Sequence, residues 1–575
     1  MRRSQNRSCC NIIYRLGLGI VMLLTLLLSV LLFAGSFLTT CYADNMETQQ
    51  VLVRVDNPLW NLLELAGFGI LFCGCLYLYE KKGEIFRRGL LIFTLSFVFV
   101  LGVLLILFGR TVPAADALSV YNAAAEWILG NTDVIHPTAS YLSYYPQQIG
   151  LMAFLELLLR IWNLTGLSAP AWHFIKLIYV CLLCVAIWFQ YLSLQYLWPE
   201  NYKKISCCYL IMVCCNLPMI MYSSFVYGEI PSFAALSVGC YLLLRLLDSF
   251  SHIFFTGLGS ILFLTLSVLL RKNSLIPVIA VLLVLLFEAL HPGRNGKTRV
   301  ALLIMTVCLA VTSVTVLPLT QKIYEKKAGN TLSSGVTATS YIAMGMQEAS
   351  RGCGWYNGFN IDTYDAAGMD TALANDISRR AIDERLEYFR KHPGYTADFY
   401  LHKHLSQWAD GTYACRQATL ATYGGRSDFF KEVYEGSLSG DYIEWCNAWQ
   451  NVLYLGVMVF CIDSLKNRRK VKAAGQVADH TVGHTAGQVA DHTVGHTAGQ
   501  VADHIVGHTA DCYGSDRLYV YVGLIAVLGG FLFHTFWEAN SRYIFSYSLL
   551  LMPYCGAGIY TGICRMRDWI QSRFH

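Results

Sequence analysis

The sequence predicts an all-α, polytopic membrane protein with about twelve membrane-crossing helices and one mainly α-helical loop domain outside the membrane. Of its 575 residues, 55% are hydrophobic and only 14% are charged, and the mean hydropathy is +0.44. Soluble domains carry about 25% charge, so lipid is the solvent for most of this chain. The apolar residues gather into a dozen runs of about 17 to 25 residues, the length that crosses a hydrocarbon core of roughly 30 Å at 1.5 Å per residue. Residues 320–450 hold no such run and are long enough to form a domain.

The elements follow in order once Lys and Arg near span ends are required to collect on the cytoplasmic side. The first run, Leu16 to Leu38, follows Arg2, Arg3 and Arg7 and is too long for the apolar core of a signal peptide, so it reads as an uncleaved anchor. Residues 1–89 hold two N-terminal membrane helices, near 16–39 and 59–79. A third span near 90–109 places the N-terminus and the Lys81, Lys82, Arg87, Arg88 loop inside. The first outer loop is then 110–146.

The next apolar stretch, Gln147 to Trp162, contains Glu156 and Arg160. If it crossed, Lys203 and Lys204, and later Arg294, Lys297 and Arg299, would all fall outside. It therefore reads as an amphipathic helix in the outer interface, residues 147–162. Spans near 171–197, 207–225, 230–247, 253–270, 274–290 and 299–319 complete a membrane core over 90–319. Residues 320–450 fall outside as the soluble domain, and a membrane helix over 451–464 leads into a cytoplasmic linker over 465–517. Residues 518–575 add two C-terminal membrane helices and a basic tail with Arg565, Arg567 and Arg573. Both termini are then cytoplasmic.

The same data exclude other classes. Net charge is +5, but the basic residues are spread over short loops, which sets topology and argues against a nucleic-acid partner. Twenty cysteines suggest a disulfide scaffold, yet most lie in apolar runs, such as Cys73, Cys75, Cys207 and Cys208, where cysteine acts as a small hydrophobe. Cys353, Cys415 and Cys446 fall in the soluble domain, where one disulfide of undetermined pairing is open to them. The linker holds a repeat of period twelve, AGQVADHTVGHT, from Ala474 to Thr509. It has too few apolar residues for a packed unit and reads as a disordered linker. Its histidines at i, i+4 (His480 and His484, for example) make weak metal binding the second reading.

The outer segments carry polar groups that a plain membrane anchor does not need. Asp116 follows Pro113 at the outer surface, where partial desolvation makes a carboxylate a better base; the structural alternative is a cap on a helix starting at Ala117. Tyr145, Gln147 and Gln148 form an aromatic and amide cluster, and paired amides orient sugar hydroxyls, whereas tyrosines alone make an ordinary interfacial belt. Glu229 lies in the turn Tyr227-Gly228-Glu229-Ile230-Pro231. Arg271 and Lys272 break two apolar helices on the side that positive charge avoids, as if an anion were held there. Glu538 and Arg542 are four apart, the spacing of a helical ion pair.

With their order and shared sidedness, these segments resemble the GT-C superfamily of polyprenyl-phosphate-sugar-dependent glycosyltransferases, in particular family 39 members similar to protein mannosyltransferases. The resemblance rests on Asp116 in the first outer loop, the YYPQQ segment, the YGEIP turn, the LRKN break at Leu270 to Asn273 and the WEANSRY stretch, and covers about residues 90–460 and 515–565. It implies transfer of a sugar, with inversion, from a polyprenyl-phosphate donor to an extracytoplasmic acceptor that is a glycan, a lipid or a protein. Asp116 would be the catalytic base, with Glu229 replacing the second acidic residue that such enzymes often carry beside the first and that Ala117 replaces here. Arg542, with Lys272 or Arg271, would hold the donor phosphate. Tyr145, Gln147, Gln148, Glu538 and, in the soluble domain, Trp355 would line the substrate site. No metal ligands stand out, and a divalent metal is left open as cofactor. Membrane lipids are the other expected partners. The competing functions are a lipid-linked oligosaccharide polymerase or ligase and a transporter or flippase of the same pathway.

Overall fold

The computed structural model describes residues 2–43, 50–138, 140–250, 253–291, 293–485 and 517–574. It is mostly helical, as expected, with helix α1 (Arg2–Leu38), a hairpin of strands β1 (Thr39–Ala43) and β2 (Val51–Val55), and helix α2 (Pro58–Leu104). Helices α3 (Ala115–Ile128), α4 (Ile149–Leu164), α5 (Ala171–Leu197), α6 (Tyr202–Cys215), α7 (Glu229–Ser249) and α8 (Ile253–Leu270) follow. After α9 (Leu275–Leu290) and α10 (Gly296–Ala328) comes the polar segment, with α11 (Ala338–Gly345), α12 (Thr371–Lys391) and α13 (Pro393–Trp408). The chain ends in α14 (Leu438–Thr485), α15 (Val522–Phe536) and α16 (Ser541–Phe574). Among the described residues, eight helices are long and apolar enough to cross a membrane.

Several boundaries differ from the sequence expectation for local physical reasons. The spans expected at 59–79 and 90–109 form one helical stretch, Pro58–Gly109, of 52 residues. At 1.5 Å per residue that is about 78 Å, more than twice a hydrocarbon core. The stretch breaks at Gly83, whose φ of 57° and ψ of −134° suit only glycine. Its two arms run past α6 in opposite directions. On the first arm Phe68 packs on Trp445, whose Nε1 donates to the Cys215 carbonyl, and Cys75 Sγ lies 4.0 Å from the Cys207 carbonyl. Beyond the break Glu84 pairs with Lys203 at 3.0 Å, and further on Thr94 accepts from Cys214 at 3.2 Å. The stretch is thus a hairpin of two apolar arms.

The segment expected as a single span at 207–225 is bent by 63° where α6 ends. Asn216 stops the helix by accepting from the Met219 amide, and Pro218 cannot donate to continue it. The β1–β2 hairpin, with Thr39 opposite Val55, and a second short hairpin at 348–353 add strands that an all-α expectation lacked. The side chains of the twelve-residue repeat, and its backbone from 486 to 509, lie outside the described residues.

Charged side chains gather at the two ends of the bundle. At one end Glu84 pairs with Arg87 and Lys203, Arg567 reaches Glu80, Arg565 pairs with Asp463 and Arg294 pairs with Glu288. At the other end sit Asp116, Glu229, Arg271, Arg542 and the polar segment. The helix expected in the interface, α4, packs at that second end. Gly150 touches the backbone of Leu269, Trp162 stacks on Phe174 at 5.4 Å, and Glu156 pairs with Arg160 and accepts from Tyr324. Within the polar segment Phe389, Phe399 and Met346 form a small core, with Ile382 packed on it. Leu386, one turn before Phe389 on α12, is exposed instead.

Close helix contact fixes the C-terminal part of the bundle. A Cβ on Gly558 would lie 1.8 Å from the Gly456 carbonyl oxygen, so α14 and α16 approach backbone to backbone, the use that membrane helices make of small residues. Gly558→Ala is expected to destabilise the protein by about 1–3 kcal/mol through overpacking and to lower its thermal midpoint in detergent. An unchanged midpoint would reject this contact.

Candidate functional site

The chain turns out of the apolar hairpin at Arg110, which has a left-handed φ of 47°, and is held by backbone bridging of Thr111 to Thr422. Ala115 also has a φ of 47°, a costly conformation for a residue with a Cβ. This strained residue aims the first turn of α3. The helix starts at Ala115 behind Ala114, which offers no side-chain cap, so Asp116 is a first-turn residue rather than the cap of a helix at Ala117. Its carboxylate is partly exposed and accepts no hydrogen bond from a described residue.

Asp116 lines a cavity of about 100 Å³ together with Arg542, Asn540, Asp410, Gln417 and Trp355. The cavity is assembled from α3, the start of α16 and the polar segment, so residues some 400 positions apart in sequence share one wall. Arg542 is held under the aromatic rings of Phe225, Tyr227 and Tyr543, at 5.7, 5.6 and 5.5 Å.

Behind Arg542 lies Glu229, only 1% exposed, which is ion-paired with Arg271 and lies 3.8 Å from Arg542 Nε. The pairing requires the Gly228 turn to press against the α8–α9 break. A Cβ on Gly228 would meet the Leu270 carbonyl at 2.7 Å. Ser232 Oγ ties the same two segments by donating to the Ser267 carbonyl at 3.0 Å. Arg271 Nη1 is spent on Glu229 Oε1, whereas Arg542 Nε has no hydrogen-bond partner among the described residues. Taken alone these three side chains carry one surplus positive charge, that of Arg542, and Asp116 and Glu538 lie close enough to interact with it. Glu229 is thereby engaged by cations rather than free as a base. Lys272 is exposed and stands apart from this cluster.

The remaining sequence candidates fall around the cavity in different ways. Glu538 is buried beside it and accepts from Tyr543 at 3.2 Å. Burial pushes its carboxyl up to about 7, with Asp116 adding to the rise, while Arg542 and the Tyr543 bond oppose it. Tyr145 stacks near Tyr141 at 5.0 Å, and burial with the nearby Asp116, Tyr356 and Glu538 holds its hydroxyl protonated. Gln148 donates to the Tyr227 hydroxyl, whereas Gln147 is half-exposed. Trp355 presents a wall of the cavity but is itself a structural post, only 4% exposed, with Nε1 donating to Ser406 Oγ at 2.8 Å.

Two residues that sequence reasoning did not assign to the site hold it together. Asp410 accepts from Thr412 N, Thr412 Oγ1 and Ser541 Oγ, at 2.9, 2.6 and 2.6 Å, and so joins the polar segment to the start of α16 next to Arg542. Burial raises its pKa while these bonds oppose the rise. Lys403 is fully buried, and its Nζ donates to the carbonyls of Gly345, Thr535 and Trp537. Those carbonyls belong to the C-terminal ends of α11 and α15, where a cation is favoured by the helix dipoles. Burial opposes this and draws the lysine down to about 7. Its signal in the sequence is a lysine on the buried face of α13, one turn from both Phe399 and Gln407. Lys403→Met leaves three carbonyls without a partner. We expect a loss of about 3 kcal/mol, read as a lower thermal midpoint. A neutral Lys403→Met would reject the role.

Cys353, Cys415 and Cys446 are all free, and the Cys415 thiol meets the Tyr442 hydroxyl at 3.0 Å instead of a second sulfur. Among the described residues no three His, Cys, Asp or Glu are grouped to hold a metal ion. A family model described as "Conserved hypothetical integral membrane protein" matches residues 15–433. No curated protein matches.

Proposed function

We propose, from the premise that this chain belongs to the family of conserved hypothetical integral membrane proteins, that it is a glycosyltransferase of the polyprenyl-phosphate-dependent kind. The observation that carries this reading is the shared cavity of Asp116 and Arg542. The Asp116 carboxylate, with no hydrogen-bond partner among the described residues, faces the same space as the Arg542 guanidinium, behind which Glu229 and Arg271 form a buried ion pair. In one step Asp116 takes the proton of an acceptor hydroxyl as that oxygen bonds the anomeric carbon from the face opposite the leaving group. The bond from that carbon to the lipid phosphate breaks, its electron pair leaves with the phosphate, and the anomeric configuration inverts. Arg542 and Arg271 offset the phosphate charge, so the leaving group needs no proton. Glu229 acts here as the support that orients both arginines. Tyr145, Gln148 and Trp355 shape the acceptor side, and Lys272, exposed, is left outside the phosphate site.

The topology that goes with this reading has twelve spans. Counting the two arms of Pro58–Gly109 separately, the bent pair, the apolar helix Phe254–Leu270 and α16 raises the eight long apolar helices to twelve. The basic end is then cytoplasmic with both termini, and the cavity and the 320–450 domain are extracytoplasmic. The helix bent by 63° after α6 is the feature that favours a transporter instead, since broken spans are common there.

Asp116→Asn is expected to reduce sugar transfer in membranes by about 10²- to 10⁴-fold, the usual worth of a general base, while insertion and thermal stability stay unchanged. Near-normal transfer would reject Asp116 as base. Glu538, held near 7, is neutral below that pH and negative above it, beside the arginine that meets the donor. The donor KM should therefore rise as pH passes upward through 7, and Glu538→Gln should flatten that dependence. A wild-type KM that stays constant across that range would exclude this contribution.

A further inference from the structure

A second and larger cavity, about 380 Å³, opens at the same end of the molecule but at the base of the β1–β2 hairpin, where the hairpin meets α2 and α14. It is lined by Arg54, Asp56, Trp60, Glu64, Glu444 and Asn447. The residues that could donate are already engaged. Arg54 pairs with Asp56 at 3.3 Å and with Glu444 at 3.4 Å, and Asn447 Nδ2 donates to Asp56 at 3.1 Å. Asp56 also accepts from Thr40 at 2.6 Å.

What remains open is acceptor capacity. Asn447 is 3% exposed, and its Oδ1 has no hydrogen-bond partner. Glu64 and the outer part of Glu444 add carboxylate oxygens on the same walls. Three carboxylates face one guanidinium, a formal count of −2. A buried amide oxygen left without a donor costs free energy, so the cavity is poised for a ligand that brings N–H groups and positive charge. Trp60, 56% exposed, offers its ring to a cation at the rim. Leu59, Leu62 and Leu63, on the same first turns of α2, leave an exposed apolar surface beside it.

We infer that this cavity binds a primary ammonium group, the one side group that brings three N–H donors, a full positive charge and no acceptor. Its place at the edge of the apolar surface allows the ammonium to come from a lipid headgroup, and a small soluble amine carries the same chemistry. The site is separate from the Asp116 cavity and does not rest on sugar transfer.

The test uses the purified full chain in detergent and native mass spectrometry with equal amounts of a phosphatidylethanolamine, a phosphatidylcholine and a phosphatidylglycerol of the same acyl chains. The ethanolamine lipid should be retained about fivefold or more over either of the others, a preference of about 1 kcal/mol. Glu64→Gln with Glu444→Gln should abolish that preference, and an unchanged thermal midpoint shows that the variant is folded. Free ethanolamine that displaces the lipid assigns recognition to the headgroup alone. Failure to displace it assigns recognition to the whole lipid, and either result supports the site. Equal retention of the three lipids, or an undiminished preference in the folded double variant, would overturn it.

Discussion

Hydrocarbon solvates no charge, and this constraint orders the whole molecule. Each Lys, Arg, Asp and Glu has to reach one end of the bundle or find a partner inside it. One end collects the dispersed basic loops, stitched by pairs such as Glu84 with Lys203 and Arg294 with Glu288. The other end carries the many charges of the polar segment, and beneath that segment a few that are buried, matched and converging. Glu229, Arg271 and Arg542 come from three different connections between helices. A triad of that kind can persist only if all three connections lie at the same depth, so the ion cluster and the helix packing specify one another.

The polar segment between α10 and α14 is anchored to this end by polar bonds as well as by apolar packing. Lys403 collects the loose carbonyls at the ends of two helices, and Asp410 binds Ser541 one residue from Arg542. Trp355 pairs with Ala539 as a backbone bridge next to the same turn. These contacts make the domain a wall of the Asp116 cavity instead of an independent module above it. A change in domain docking therefore alters the position of Arg542 directly.

Much of the fold and part of the candidate site were legible in the sequence. Apolar run length reveals the membrane helices because the bilayer has one thickness. Charge bias groups the connections into two sets because it acts on residues near span ends whatever their partners are. Asp116, Glu538 and Arg542 stood out as polar groups in the outer set; Asp116 and Arg542 line one cavity, and Glu538 is buried beside it. Glu229 stood out as well, but its engagement by two arginines depends on the close approach at Gly228, which no local pattern encodes. Lys272 and Arg271 are neighbours in sequence and equal in charge, yet only Arg271 turns inward. The β1–β2 hairpin went unseen because its strands are only five residues each.

The sequence by itself determined that the chain is a multi-pass membrane protein, where its apolar spans lie and which connections share an end. Those properties follow from the composition of contiguous segments and from a solvent that acts on each segment alone. Only the tertiary structure decided that Pro58–Gly109 folds back at Gly83, that Glu229 supports arginines, that Lys403 joins the polar segment to the bundle and that Asp116 is left without a hydrogen-bond partner among the described residues. Each of these depends on contacts between residues tens to hundreds of positions apart, and pairing at that range is set by packing geometry, which a single sequence does not display.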